Sequence, residues 1–131
     1  MDDRQRDLSR YRIQGAKDSL QVAENCLKDG LYRDSVNRSY YAAFYGVKAV
    51  LAMGTVDFKR HKDVMGYFNR EFVATGIFPR ELGRRLGALK QMREKSDYDD
   101  FYIISKAQAE AQFETARSAL QLIVGYLEKI G

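Results

Sequence analysis

Apolar and aromatic residues recur every three or four positions through most of the chain, which is the spacing of one face of an α-helix. No segment shows the sustained alternation of apolar and polar residues that marks a half-buried strand. The helical pattern breaks near residues 30, 54–57, 75–76 and 97–104. The sequence therefore predicts an all-α fold: an up-and-down helical bundle of four long helices plus one short helix, in a single domain over residues 1–131.

The second long helix carries the densest apolar pattern, over residues 34–51. Tyr41 and Tyr45 widen its apolar stripe until only a narrow edge remains for solvent, and small residues such as Gly46 let neighbouring helices approach closely. We therefore expect this helix, running to Gly54, to be the centre of the bundle. Any tyrosine hydroxyl buried there would need a hydrogen-bond partner.

Residues typical of helix ends mark the limits of the other helices. The first spans about residues 2–29 and ends at Gly30, and its short link to the central helix predicts antiparallel neighbours. The short third helix opens over residues 58–62 and ends before residues 75–76. The fourth begins at residue 79 or 80 with Pro79 at its first position, and Ser105 with Gln108 predicts a capping box for the last helix.

The last helix carries more apolar surface than one bundle contact needs. Beside its main stripe runs a second one, made of Ala119, Leu122 and Tyr126. This width predicts contact with the bundle and with a second copy of the chain, because twofold homo-oligomers are the commonest assemblies.

Two basic features interrupt these patterns. The core stripe of the fourth helix, Leu82, Leu86 and Leu89, continues onto Arg93. A guanidinium in that position needs a partner, and Asp97 lies one helical turn further on. Lys59-Arg60-His61-Lys62 is the densest basic run in the chain, at a predicted helix start where cations are disfavoured unless an anion is near.

Composition narrows the function classes further. With 45% hydrophobic residues, one proline and charges spread along the chain, the sequence is that of an ordered globular protein. No apolar run approaches the roughly 20 residues of a membrane span, so we expect a cytoplasmic protein with no membrane contact. Cys26 and His61 are the only residues of their kinds, which predicts neither a disulfide nor a zinc site, and no cofactor is expected. The net charge of +4 permits an anionic partner such as RNA.

Three features together resemble the HEPN domain family. They are the run Arg38 to Tyr45 on the second helix, His61 opening the third helix before Phe68 and Phe72, and the run Arg93 to Tyr98 closing the fourth. The resemblance implies a helical bundle that forms a homodimer, is often encoded beside a minimal nucleotidyltransferase, and in many members is an RNA-cleaving toxin. RNA-cleaving members carry an arginine followed after four to six residues by a histidine, and here Tyr98 occupies the nearest equivalent histidine place.

Three functions remain open from the sequence. The first is a nucleotide- or RNA-binding module whose cleft lies between the second and fourth helices, with residues 59–62 near its mouth. The second is a metal-independent ribonuclease toxin in which His61 or Tyr98 replaces the missing histidine, although an unperturbed tyrosine is a poor acid or base near neutral pH. The third is a structural interaction bundle in which Arg93 and Asp97 only hold the fold. The predicted ligand-binding residues are Arg38, Tyr41, His61, Arg93, Asp97 and Tyr98, with catalytic residues unassigned.

Overall fold

Five α-helices follow one another in the computed structural model, which describes residues 2–54 and 57–131. They are α1 (Asp3–Lys28), α2 (Tyr32–Ala52), α3 (His61–Phe68), α4 (Arg80–Tyr98) and α5 (Lys106–Ile130). A π-helical turn, Asn69–Val73, continues α3. Within those described ranges there is no β-strand, and the predicted bundle of four long helices and one short helix is confirmed. The break predicted at residues 54–57 includes Thr55 and Val56, which lie outside the described residues.

The α1–α2 hairpin is closed by local geometry at its turn. Gly30 adopts a positive φ of 76°, a conformation that is accessible without strain only to residues lacking a Cβ. The amides of Gly30 and Leu31 then donate to the carbonyls of Leu27 and Cys26, which is the Schellman arrangement that satisfies the last carbonyls of a helix. Three residues separate the two helices, so they run antiparallel as the sequence predicted.

Two buried serines link α1 to α2 along their length. Ser9 Oγ donates to the carbonyl oxygen of Ala49, and Ser35 Oγ donates to that of Ala23, both at 2.8 Å. Each serine occupies a position where a larger side chain would push the helices apart, and each hydroxyl is satisfied without water. These bonds fix the register of the hairpin on which the site is built.

α2 is the centre of the fold, as its apolar pattern predicted. It contacts α1, α3, α4 and α5, and its side chains supply much of the main core. Tyr40, Val36 and Val47 are fully buried, whereas Tyr41 and Tyr45 are half-buried along one edge. With the exposed Asp34 and Arg38, that edge is the accessible side of α2.

α3 begins at His61, within the start predicted over residues 58–62. Arg60 is its extended N-cap and pairs with Asp63 in the first turn, with Nε and Oδ2 3.0 Å apart. Lys59 therefore precedes the helix, and Asp63 complements the positive end of the helix dipole. The basic run faces less electrostatic conflict than the sequence suggested, because only His61 and Lys62 lie within the helix.

α4 begins at Arg80, within the predicted range, but Pro79 is its N-cap and not its first helical residue. Pro79 has an extended ψ of 148°, so the predicted position for this proline was wrong by one residue. The capping box predicted for α5 is confirmed: Ser105 Oγ accepts from the amide of Gln108, and Gln108 Oε1 accepts from the amide of Ser105.

The second apolar stripe of α5 is largely used inside the chain. Ala119 is fully buried, and the ring of Tyr126 lies 6.2 Å from that of Phe72 and 5.0 Å from that of Phe78, measured between centroids. Leu122 is the member that stays 41% exposed. The width of this helix is therefore explained by its position between neighbours, and it does not by itself require a second chain.

Among the described residues, no helix has the length and apolarity that a membrane span requires.

Two glycines in helix interiors test how closely the helices approach. A Cβ on Gly46 of α2 would lie 3.2 Å from methyl carbons of both Leu120 and Ile123, whereas a Cβ on Gly87 of α4 would meet no atom within 4 Å. We expect Gly87→Ala to raise the free energy of unfolding by roughly 0.5–1 kcal/mol, since alanine loses less backbone entropy in a helix. Because its methyl group would overpack the core, Gly46→Ala should have a free energy of unfolding about 1–3 kcal/mol lower than that of this control. Urea unfolding measures both, and equal gains would contradict the packing described here.

Candidate functional site

Arg93 lies where the apolar stripe of α4 meets the aromatic edge of α2. Its side chain is 14% exposed, and its guanidinium carbon lies 4.6 Å from the ring centroid of Tyr40 and 5.8 Å from that of Tyr41. Both distances fit cation–π attraction, which strengthens when the cation is partly desolvated. The aromatic floor therefore explains how a permanent cation occupies a position that the stripe assigns to an apolar residue.

Asp97 completes the environment of Arg93 on the solvent side. Its Oδ2 lies 3.0 Å from Nη1 of Arg93, and its side chain is 36% exposed. The predicted pair is thus present, with a half-buried cation and a more exposed carboxylate. The Nε of Arg93 is buried and has no hydrogen-bond partner within the described residues. One donor of the planar guanidinium is occupied by Asp97 and another is left unmatched.

Tyr40 connects Arg93 to the third helix. The ring is fully buried, and its hydroxyl lies 3.3 Å from Nδ1 of His61. Burial raises the pKa of Tyr40 to about 12, and the charge of Arg93 offsets only part of that rise. The hydroxyl therefore keeps its proton at neutral pH, and it can donate a hydrogen bond to Nδ1 or accept one from Nδ1–H, depending on the tautomer of His61.

His61 is held in an aromatic recess by its position at the start of α3. Its ring centroid lies 4.1 Å from that of Phe44 and 5.7 Å from that of Tyr41, the latter edge to face. Burial lowers the pKa of His61, and the positive charges of Arg93, Lys48 and Lys90 lower it further. His61 is therefore neutral at physiological pH, with one ring nitrogen next to Tyr40.

The structure thus gathers four of the six predicted site residues on one surface: Tyr41, His61, Arg93 and Asp97. We refer to these four together with Tyr40 as the Arg93 cluster. Arg38 is exposed one helical turn before Tyr41, on the side where α2 meets α1. Tyr98 is 82% exposed at the end of α4.

Three contributors to this surface were not among the predicted site residues. Tyr40 was assigned to the core by its place in the apolar stripe, and the requirement that a buried hydroxyl be paired was the signal that could have singled it out. Lys48 lies 5.9 Å from the ring of Phe44, and Lys90 is close enough to affect His61. Nothing local in the sequence relates either lysine to His61.

The arrangement is suited to binding an anion next to a flat group. The charges of Arg93, Lys48 and Lys90 act on a neutral imidazole, and the side chain of Tyr41 beside it is half-buried. Lys90 also pairs with Glu94, with Nζ and Oε1 3.8 Å apart. An arginine fork matches the oxygens of a phosphate, and an aromatic face can stack on a base. Within residues 2–54 and 57–131, no group of three histidine, cysteine or acidic side chains is placed to hold a metal ion.

The lowered pKa of His61 gives a stability prediction with a definite sign. Since the unfolded histidine has a pKa near 6.5 and the folded one titrates lower, the unfolded state binds more protons as the pH falls. The free energy of unfolding should therefore decrease from about pH 7.5 towards about pH 5, through the folded pKa of His61. Urea unfolding of the wild type and of His61→Gln across this range isolates the effect, because His61 is the single histidine of the chain. We expect the variant to lose less stability; parallel curves would show that His61 is not desolvated.

Comparison with known proteins agrees with this architecture. The sequence model of the HEPN domain matches residues 9–129. A UPF0332 protein of Thermotoga maritima is 32% identical over 120 residues, which cover 92% of this chain and 86% of that protein. Two proteins of Methanocaldococcus jannaschii, each named "Putative toxin", are 35% identical over 75% and 66% of this chain, corresponding to 67% and 64% of their own lengths.

The match with the domain family reaches from the first turns of α1 to the last turn of α5, so it covers every helix that builds the Arg93 cluster. The chain therefore belongs to the HEPN domain family.

Proposed function

We propose that this protein is a nucleotide- or RNA-binding module whose binding surface is the Arg93 cluster. The observation that carries the proposal is a half-buried guanidinium held over two tyrosine rings beside a neutral histidine, with one partly exposed carboxylate as its ion-pair partner. The side chain of Arg93 remains 14% exposed. A phosphate could bind that exposed part of the guanidinium beside Asp97, and Tyr41 could stack on the base beside it.

The surroundings support extended nucleic acid over an isolated phosphate. Arg38 lies one turn along α2 from Tyr41, and the groove between α1 and α2 that it lines also contains Tyr45 and Lys48. Lys59 and Lys62 are exposed on either side of His61 in sequence. A chain of nucleotides crossing Arg93 could thus meet further cations in both directions.

Replacement of Arg93 tests whether this residue contributes to RNA binding or only to the stability of the fold. We expect Arg93→Ala to weaken binding of a labelled single-stranded RNA at least about tenfold at low salt, because a charged hydrogen bond to phosphate is lost. The stability loss should lie between the roughly 0–1 kcal/mol of an exposed pair and the roughly 3–5 kcal/mol of a buried one, since Asp97 is 36% exposed. Fluorescence anisotropy measures the binding of RNA, with ATP as a second probe for the binding of a mononucleotide. Urea unfolding measures the stability.

The matched control is Arg84→Ala on the same helix, where the arginine side chain is 75% exposed and its Nη1 lies 3.8 Å from Oε2 of Glu81. Asp97→Ala and the double variant complete a cycle that reads the coupling between Arg93 and Asp97. If Arg93→Ala and Arg84→Ala bind RNA equally well while only Arg93→Ala loses stability, Arg93 is structural and the proposal fails.

A metal-independent ribonuclease is the second candidate, favoured by the position of His61. His61 is 32 residues before Arg93 in the chain, which excludes it from the local family motif, yet the fold places both beside Tyr40. If Nδ1–H donates a hydrogen bond to the Tyr40 oxygen, the lone pair of Nε2 is free to remove the proton of an RNA 2′-hydroxyl. The 2′-oxygen would attack the adjacent phosphorus and displace the 5′-oxygen, which takes a proton from water. The hydroxide formed takes back the proton from Nε2, and Arg93 stabilises the charge on the phosphate during the attack.

Cleavage of RNA by the purified protein in the presence of a chelator tests this second candidate. We expect wild type to yield products with 2′,3′-cyclic phosphate ends and His61→Gln to be slower by at least about a hundredfold, the usual contribution of a general base. Tyr98→Phe should leave the rate unchanged, since Tyr98 is 82% exposed at the end of α4. An intact substrate with wild type would rule out the ribonuclease and leave the binding module.

We further propose that the protein is a cytoplasmic homodimer and one component of a toxin–antitoxin-type pair, with a minimal nucleotidyltransferase as its partner. The supports are the family and the names of the two Methanocaldococcus jannaschii relatives. Sedimentation at micromolar concentration should show a particle of twice the 15.1 kDa chain mass, and a monomer alone would count against the dimer. A nucleotidyltransferase gene next to the coding sequence would support the pairing.

A further inference from the structure

A cavity of about 430 Å³ lies between α1 and the last turns of α5, with the end of α2 at its side. Arg6, Arg10, Ile13 and Lys17 follow one another at intervals of three or four residues, so they form one face of α1 that lines the cavity. The opposite wall comes from α5. This volume falls within the range of small-molecule sites in proteins.

The cavity combines an apolar wall with a cationic one. Ile13 on α1, Val124 and Leu127 on α5, and Met53 after α2 supply the apolar lining. All four are half-buried, so apolar surface remains open that closer packing of α1 on α5 would have covered. Such a lining favours a hydrocarbon chain or ring.

The cations of this cavity outnumber the acidic side chains of its lining. Among the described residues, Arg6, Arg10 and Lys17 make no ion pair, although ten pairs are present elsewhere, and Glu128 is the one acidic residue of the lining. The Nε of Arg6 is buried and has no hydrogen-bond partner in that part of the chain. Three cations and one acidic side chain give the lining an excess of positive charge, which would stabilise an anion in the cavity.

We propose that this cavity binds an anionic amphiphile, a molecule with an apolar chain and a carboxylate or phosphate head. The head would lie against Arg6, with Arg10 and Lys17 nearby, and the chain would lie between Ile13, Val124 and Leu127. The cavity shares none of its lining residues with the Arg93 cluster. This inference therefore does not depend on the proposed binding of nucleotide or RNA.

Isothermal titration calorimetry with the full chain tests the chemistry of the site. The probes are dodecanoate and dodecyl phosphate below their micelle-forming concentrations. Dodecyltrimethylammonium supplies the same chain with the opposite charge, and acetate and inorganic phosphate supply the heads alone. We expect one molecule of each anionic amphiphile to bind per chain and the three controls to bind at least tenfold more weakly. Tighter binding of dodecanoate would indicate that the site takes a fatty acid, and tighter binding of dodecyl phosphate would indicate a phosphate ester.

Variants test the location. Arg6→Met keeps the apolar stem and removes the charge, and should weaken dodecanoate at least tenfold, whereas Arg4→Met on an exposed part of α1 should not. Val124→Glu places a carboxylate beside the proposed chain and should abolish binding. Equal affinity of the two methionine variants, tight binding of the cationic amphiphile, or no binding by the wild type would overturn the proposal. If the wild type binds no amphiphile and forms a dimer that Val124→Glu dissociates, this face contacts a second copy of the chain. That result would also overturn the proposal.

Discussion

Burial of one helix on nearly every side is the constraint from which the rest of this structure follows. α2 contacts all the other helices, so polar groups on its buried faces are shielded from water and are stabilised by partners within the protein. In the hairpin with α1, serine hydroxyls bond to backbone carbonyls. Towards α3, the buried hydroxyl of Tyr40 has the ring of His61 as its partner, whereas Ser39 Oγ is buried without a hydrogen-bond partner among the described residues. The need to satisfy a central helix thereby brings a histidine from a short third helix into the site.

The same constraint explains why Arg93 is stable where it lies. A cation at the end of an apolar stripe would lose much of its hydration without compensation. Here the faces of two tyrosines compensate on one side and the carboxylate of Asp97 on the other. The side chain of Arg93 remains 14% exposed. The guanidinium can therefore take part in binding an anion, as proposed above, as well as in the ion pair with Asp97.

His61 and Tyr40 affect each other through charge as well as contact. Burial and the surrounding cations keep the imidazole neutral, and burial keeps the phenol protonated. Neither residue carries a charge at neutral pH, so the positive character of the surface comes from Arg93, Lys48 and Lys90. The cations are thereby available to hold a phosphate, which both proposed activities require. A neutral His61 that can take up a proton is required only by the proposed ribonuclease.

The sequence by itself determined the all-α class, the centrality of α2, the Ser105 cap and the Arg93–Asp97 pair, because each is encoded by residues within about one helical turn or by a periodic stripe. It also limited the chemistry to one histidine and a set of cations. Only the tertiary structure decided that Tyr40 joins His61 to Arg93, since those residues belong to three helices and periodicity does not specify which helix faces which. Packing against Phe72 and Phe78 likewise turned Tyr126 inward, although its spacing alone allowed an outer surface. The helices and their caps are determined by residues close together in the chain. The site is formed by contacts between distant segments, and these depend on how the side chains pack in the core.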